Sequence, residues 1–156
     1  MANEMKTGDL KAIGVVRNKV KKWIGVTNSR DVVSEIVLES SLAEGLDGLE
    51  DFSHATILFW MPRPPGPLTI KFHPGHKEEL PLVGVFASRS PARPNPIAKT
   101  LVKIIKHQDN VLTVQGLDAI DGSPVIDIVP YMTQSDSAAD ARVPPWVLEI
   151  HKSLRK

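Results

Sequence analysis

Nine of the thirteen prolines lie between Pro62 and Pro96. Proline fixes φ and has no backbone N–H, so neither a helix nor a central strand can run through most of this stretch. The core must come from the sequence on either side, and the stretch itself must be a long, stiffened connection. Connections of that length in a small domain are usually functional or disordered. Apolar segments at both ends and a low serine content argue against disorder.

The flanking sequence reads as short strands. LKAIGVVRN (Leu10–Asn18), VVSEIVLES (Val32–Ser40) and ATILFWM (Ala55–Met61) are apolar and rich in β-branched residues. Between the last two, SSLAEGLDGLEDFSH predicts a short helix, capped by Ser40 or Ser41 with Glu44 following and leucines at 42, 46 and 49. Inside the proline stretch, LTIKFH predicts a short edge strand and LVGVFA (Leu82–Ala87) a strand. Beyond it, IAKTLVKIIKH (Ile97–His107) fits either a strand or a helix. NVLTVQGL and SPVIDIVPY predict strands, joined by turn residues in AIDGSPV. VPPWVLEIHKSLRK predicts a closing helix with proline in its first turn and Trp146, Leu148 and Ile150 as its apolar residues. Six to eight strands, two short helices and no strand–helix alternation define a mostly-β domain, a barrel or a sandwich.

The 156 residues fit one domain. With no cysteine there is no disulfide, thiolate zinc site or cysteine nucleophile. No apolar run reaches the roughly 18 residues of a membrane span, and MANEMKTGDLK has no apolar core of a signal peptide. The expectation is a cytoplasmic protein with no membrane partner. The net charge of +1 conceals blocks. Residues 1–30 hold seven bases and two acids, residues 31–61 seven acids and no base, and residues 62–106 eight bases and two acids. Such blocks suit a local anionic partner, or solvated faces that alternate in sign. Neither G-x-G-x-x-G, G-x-x-x-x-G-K-[ST] nor G-x-S-x-G occurs, which argues against a Rossmann site, a P-loop and a nucleophile elbow.

Two segments concentrate chemistry. FASRSPARPNPIAKT sets Arg89 and Arg93 four apart in a loop whose prolines limit its conformations. Guanidinium groups held this way suit a carboxylate, a phosphate or an adenine face, and Asn95 suits a base or ribose edge. The same residues also fit an arginine-stapled structural loop. LDAIDGSPVIDIVPY carries Asp118 and Asp121 at the end of a strand, and Asp127 interrupts its apolar run. A carboxylate there is exposed, paired or functional, because burial unpaired costs about 3–5 kcal/mol. Tyr131, the single tyrosine, is a stacking platform, a proton relay or core. His73 and His76 form a close pair, but only Glu78 and Glu79 are near enough to complete a metal site, so no metal is expected. His54 fits a functional imidazole or a hydrogen-bonded core histidine.

GVFASRSPARPNPIAKT, followed by LDAIDGSPVIDIVPY and preceded by GLEDFSHATILFW, resembles the TsaA-like, or TrmO, family. Order and spacing match over about Ile13 to Asp136. The resemblance implies a single non-Rossmann β-barrel that binds S-adenosylmethionine, usually as a homodimer. It implies methylation of the exocyclic nitrogen of a threonylcarbamoyl-adenosine beside the anticodon of tRNA. By position, Arg89, with Ser90 beside it, would hold the methionine carboxylate. Asp118, Ala119, Ile120 and Asp121 would receive the adenosine, and Pro62, Arg63 and Lys99 would also face the cofactor. Arg93 and Asn95 are the candidates for the substrate. Asp127 and Tyr131 are the candidates to accept the departing proton or orient the nitrogen.

Three departures accompany the resemblance. Ala98 replaces the glycine of the familiar RPNPIG, and Lys99 brings a charge. The first loop reads KVKKWIGV where family members often show a PRQ-like element, which makes Lys22 and Trp23 its candidates for the cofactor. PR follows ILFWM where HQ is common. The expectation is a single domain without the extra C-terminal domain of longer members. A cofactor-binding module, or a methyltransferase for a small molecule or protein, stands as the alternative.

Overall fold

The structure, a computed structural model, describes residues 8, 10–25, 28–62 and 66–153. Eight strands are formed in chain order: β1 (Gly14–Arg17), β2 (Val33–Leu38), β3 (His54–Trp60), β4 (Lys71–Phe72), β5 (Val83–Gly84), β6 (Ile97–Gln108), β7 (Val111–Gln115) and β8 (Pro124–Pro130). Six of them close an antiparallel barrel in the order β1-β2-β7-β6-β3-β8. Of the two architectures the sequence left open, the chain adopts the barrel. Closure leaves no long edge strand unpaired.

Alternation drives the closure. In β3, Ala55, Ile57 and Phe59 point inward and are buried, while Thr56, Leu58 and Trp60 face out. Val16, Ile36, Val102, Leu112, Val114 and Val125 fill the same interior from the other strands. Each such aliphatic side chain contributes about 1.5–3 kcal/mol on leaving water. The segment open to either strand or helix is a strand, β6, long enough to pair with β3 through its first half and β7 through its second. Gly14 sits where β1 meets β2, and a Cβ there would lie 2.5 Å from the Val37 carbonyl oxygen.

Three expectations are revised. Residues 40–54 form no α-helix but two 3₁₀ turns, Ser40–Leu46 and Leu49–Asp51, with Glu39 at the first N-cap and no side-chain cap. They direct Leu46 and Leu49 into the core. LVGVFA yields only the two-residue β5: the Val85 N–H extends its ladder by one bond to the Ile70 carbonyl (2.8 Å), and the 3₁₀ turn Val85–Ala87 ends it. In the closing helix, Trp146 and Ile150 are half-buried but Leu148 is exposed. Two α-helices are present among the described residues, α1 (Thr133–Asp136) and α2 (Pro145–Ser153).

The register places all three connections of interest at one end. β1, β3 and β7 end there, and β2, β6 and β8 begin there. Among the described residues, the rim therefore carries 18–25 and 28–32, 61–62 and 66–96 with the small β4–β5 sheet, and 116–123. The other end is closed by the 3₁₀ turns, where Glu50 Oε2 meets His107 Nε2 at 2.9 Å.

Candidate active site at the barrel rim

Two rim loops are locked to each other by Asn18, the first residue after β1. Its Nδ2 donates to the Ala119 carbonyl (2.9 Å) and to Ser34 Oγ (3.0 Å). Its Oδ1 accepts from the Val20 N–H (2.9 Å), an Asx turn, and its own N–H donates to Asp121 Oδ1 (3.1 Å). Lys21 Nζ pairs with Asp121 Oδ2 at 2.7 Å, and the Asp121 N–H donates to the Val20 carbonyl. The hydrogen bond from Lys21 and then that from Asn18 hold the Asp121 carboxyl below the usual range. Gly122, at φ +84°, closes the turn and donates its N–H to the Val16 carbonyl.

Asp118 has the opposite environment. Burial pushes its carboxyl up, and a hydrogen bond from Trp23 opposes the shift. Trp23 is otherwise 54% exposed. The N–H groups of Asp118, Ala119 and Ile120 meet no acceptor among the described residues, and Ala119 is itself buried. Buried backbone donors are rarely left without a partner. The two loops together thus offer a half-buried carboxylate and three backbone donors from 118–120 and the exposed indole of Trp23. A groove lies beside it, lined by Arg17, Lys19, Lys21, Lys22, Ile24 and Glu35. Neither Asp118 nor Arg89 lines that groove.

The arginine–proline loop divides its two arginines. Arg93 Nη1 donates to the Ser88 carbonyl at 2.9 Å and to those of Val85 and Ser90 at 3.3 and 3.5 Å. This is the stapling arrangement. Arg89 is exposed, with no hydrogen bond or ion pair among the described residues. Ser90 Oγ accepts from the Ala92 N–H (3.3 Å), and Asn95 is exposed, its carbonyl accepting from the Ile97 N–H. The ends of the long connection meet where the Met61 N–H donates to the Pro96 carbonyl (2.8 Å). Pro62 is exposed next to this bond, and Arg63 lies outside the described residues.

Three candidates stand apart from the rim loops. Lys99 is exposed on the outer face of β6 and Asp127 on the outer face of β8, each paired in register with Leu58 of β3. Asp127 Oδ1 accepts from the Ile128 N–H (2.8 Å). Tyr131 follows β8 at the opposite end of the barrel, its N–H on the His54 carbonyl. A register shift at Leu58/Phe59 leaves Ile126 without a pairing partner and sets the face that Asp127 occupies. His73 Nδ1 is bonded to the Leu80 carbonyl (2.6 Å), and half-buried His54 meets Ser53 Oγ at 2.7 Å. No group of three or more potential metal ligands gathers among the described residues.

Asn18 and Phe86 were not singled out in the sequence. An asparagine directly after a β-branched strand is an Asx-turn signal for the first. Phe86, 78% exposed beside the arginine loop, carried no such signal.

A closed barrel with its polar loops on one rim is an architecture for binding a ligand at the barrel mouth. The profile of the tRNA-methyltransferase O N-terminal domain matches residues 24–137, and the chain belongs to that family. An S-adenosyl-L-methionine-binding protein of Archaeoglobus fulgidus is 41% identical over 130 residues, which are 81% of this chain and 91% of that one. The tRNA (adenine(37)-N6)-methyltransferase of Escherichia coli is 34% identical, over 88% of this chain and 63% of its own. The crystal structure of TrmO from Pseudomonas aeruginosa superimposes with a TM-score of 0.72 at 26% identity, covering 98% of this chain and 78% of that one.

Proposed function

We propose that the protein is an S-adenosylmethionine-dependent methyltransferase acting on the adenosine beside the anticodon of tRNA, where the threonylcarbamoyl-modified base is the acceptor. The observation that carries the reading is the split between the two arginines. Arg93 is consumed in holding the loop, while Arg89 is presented by that loop with its guanidinium unpaired among the described residues. A free, positioned guanidinium fits the carboxylate of the cofactor's methionine part.

The rest of the rim fits the same group. The unpaired N–H groups at 118–120 fit the edge of an adenine, and Asp118 and Trp23 fit the ribose and the face of the base. When bound, S-adenosylmethionine supplies an activated methyl on a sulfonium centre. The chain's own task is positioning, since transfer to nitrogen is an in-line displacement that gains most from orientation. Pro62 and Ser90 serve the cofactor side of this site, and Asn95 serves the acceptor side. Lys19, Lys21 and Lys22 line a groove that suits an RNA backbone, each neutralised phosphate adding salt dependence. The enzyme works in the cytoplasm, as a homodimer, with no metal.

Radiolabelled methyl transfer to tRNA bearing the threonylcarbamoyl group, against tRNA lacking it, tests the reading. Label in the first and none in the second is expected. Tight cofactor binding with no label in either would leave a cofactor-binding module in its place.

A further inference from the structure

Phe86 is the most exposed large apolar side chain among the described residues, at 78%. The backbone beneath it is held firmly. Val85, directly before it, is buried and roots the 3₁₀ turn Val85–Ala87. The Val85 carbonyl accepts from the Ser88 N–H (3.3 Å), from Ser88 Oγ (2.9 Å) and from Arg93 Nη1 (3.3 Å). The same arginine nitrogen holds the Ser88 carbonyl on the far side of the turn. A clamped turn thus presents a bare aromatic ring. Leu68, Ile70 and Leu82 are exposed on the same excursion from the barrel, and clustered apolar exposure marks an interaction surface. Lys71 is exposed there too, without an ion pair among the described residues, and its cross-strand neighbour Gly84 sets no side chain against it. The acids of the excursion, Glu78 and Glu79, lie in the connection at the other end of β4–β5 from the Phe86 turn.

We infer that Phe86 is a stacking platform for a base that flanks the acceptor adenosine in the anticodon loop, with Lys71 on the adjoining phosphate. The pairing of groups fits single-stranded RNA: the ring takes the flat apolar face of a base, and the cation takes the charge that joins it to the next. Position fits as well. Phe86 stands three residues before Arg89, so a base on the ring lies beside the group assigned to the cofactor. An enzyme that works on a base draws it out of its stack, and the neighbour left behind loses a stacking partner. The Phe86 ring takes the vacated place. Because the turn is already fixed, little conformational freedom is lost when the base arrives. The inference deepens the tRNA reading above and rests on it.

A cycle of protein and RNA variants tests the platform. Fluorescence anisotropy measures binding of an anticodon stem–loop RNA that carries the threonylcarbamoyl-modified adenosine, either intact or abasic at one or the other flanking nucleotide. The proteins are the wild type, Phe86→Ala, Phe86→Trp and Lys71→Ala, with circular dichroism verifying each fold. Phe86→Ala is expected to bind the intact RNA about tenfold more weakly, and Phe86→Trp to restore binding. One abasic RNA is expected to lose about as much on the wild type and to bind Phe86→Ala as well as the intact RNA does. The salt slope is expected to be unchanged in Phe86→Ala and lower by about 0.7 in Lys71→Ala. Equal binding by the wild type and Phe86→Ala would overturn the platform and leave the tRNA reading standing. So would a loss in Phe86→Ala that persists in full on both abasic RNAs, or a change in that variant's oligomeric state, which would assign the ring to a protein contact. A wild type that binds none of the RNAs would overturn the platform and the tRNA reading together.

Discussion

The N–H of Asn18 donates to Asp121 Oδ1 across 103 positions of sequence, at 3.1 Å. That bond joins the loop after β1 to the loop before β8, and three further bonds from the Asn18 side chain tighten the junction. Asn18→Ala should cost about 2 kcal/mol, since it removes three partly buried hydrogen bonds of about 1 kcal/mol each against some relaxation. Thermal unfolding should show a fall of roughly 4–8 °C. Cofactor affinity should fall too, because Ala119 loses its tether. An unchanged melting point would show that the two loops hold without it.

Arg93 and Arg89 should separate cleanly. Arg93→Ala frees three backbone carbonyls of the arginine–proline loop and should destabilise by about 1.5–3 kcal/mol, the range for a charged donor. Arg89→Ala should leave the melting point within about 1 °C, as exposed substitutions away from such contacts do. Equal losses of stability from both would contradict the division of labour.

The two rim carboxylates should give opposite pH dependences. Asp121 is held below the usual range by Lys21 and Asn18, so its stabilisation is present above the unfolded value of about 3.9 and is lost as pH falls through the lower folded value. Asp118 is raised by burial, so the fold is favoured below about 3.9 and loses stability as pH climbs through the higher folded value. Asp118→Asn should therefore match or exceed the wild-type melting point at neutral pH while weakening cofactor binding about tenfold. Denaturant titrations from pH 3 to pH 8 check the first part, and loss of stability in this variant at neutral pH would contradict it.

Lys19 and Lys22 line the groove without ion pairs among the described residues. Replacing both with alanine should lower the slope of log affinity for tRNA against log salt by roughly 1.4–1.8, for two phosphate contacts. A slope equal to that of the wild type would place the RNA elsewhere.

The barrel was legible because its strands announce themselves: alternation in β3 already separates Ala55, Ile57 and Phe59 from Thr56, Leu58 and Trp60. The apolar positions of β6 satisfy both periods, and only pairing with β3 and β7 resolves them. The candidate rim was legible in outline, since Arg89, Trp23 and the 118–121 loop all hang from one end. Which arginine is free was not, because it depends on which carbonyls the loop turns inward. Asp127 stood out as a carboxylate in an apolar run, yet its face follows from a bulge at Ile126 that no local pattern marks. Asn18 was missed because its Ala119 and Asp121 partners lie more than 100 positions away.

Titration of the protein with S-adenosylmethionine by calorimetry, on the wild type and on Arg89→Ala, tests the central claim most directly. Micromolar binding to the wild type that weakens about a hundredfold in the variant, for loss of a charge-assisted pair of about 2.7 kcal/mol, is the predicted result. No binding to the wild type, or equal binding to both, would contradict a cofactor site built on the arginine–proline loop.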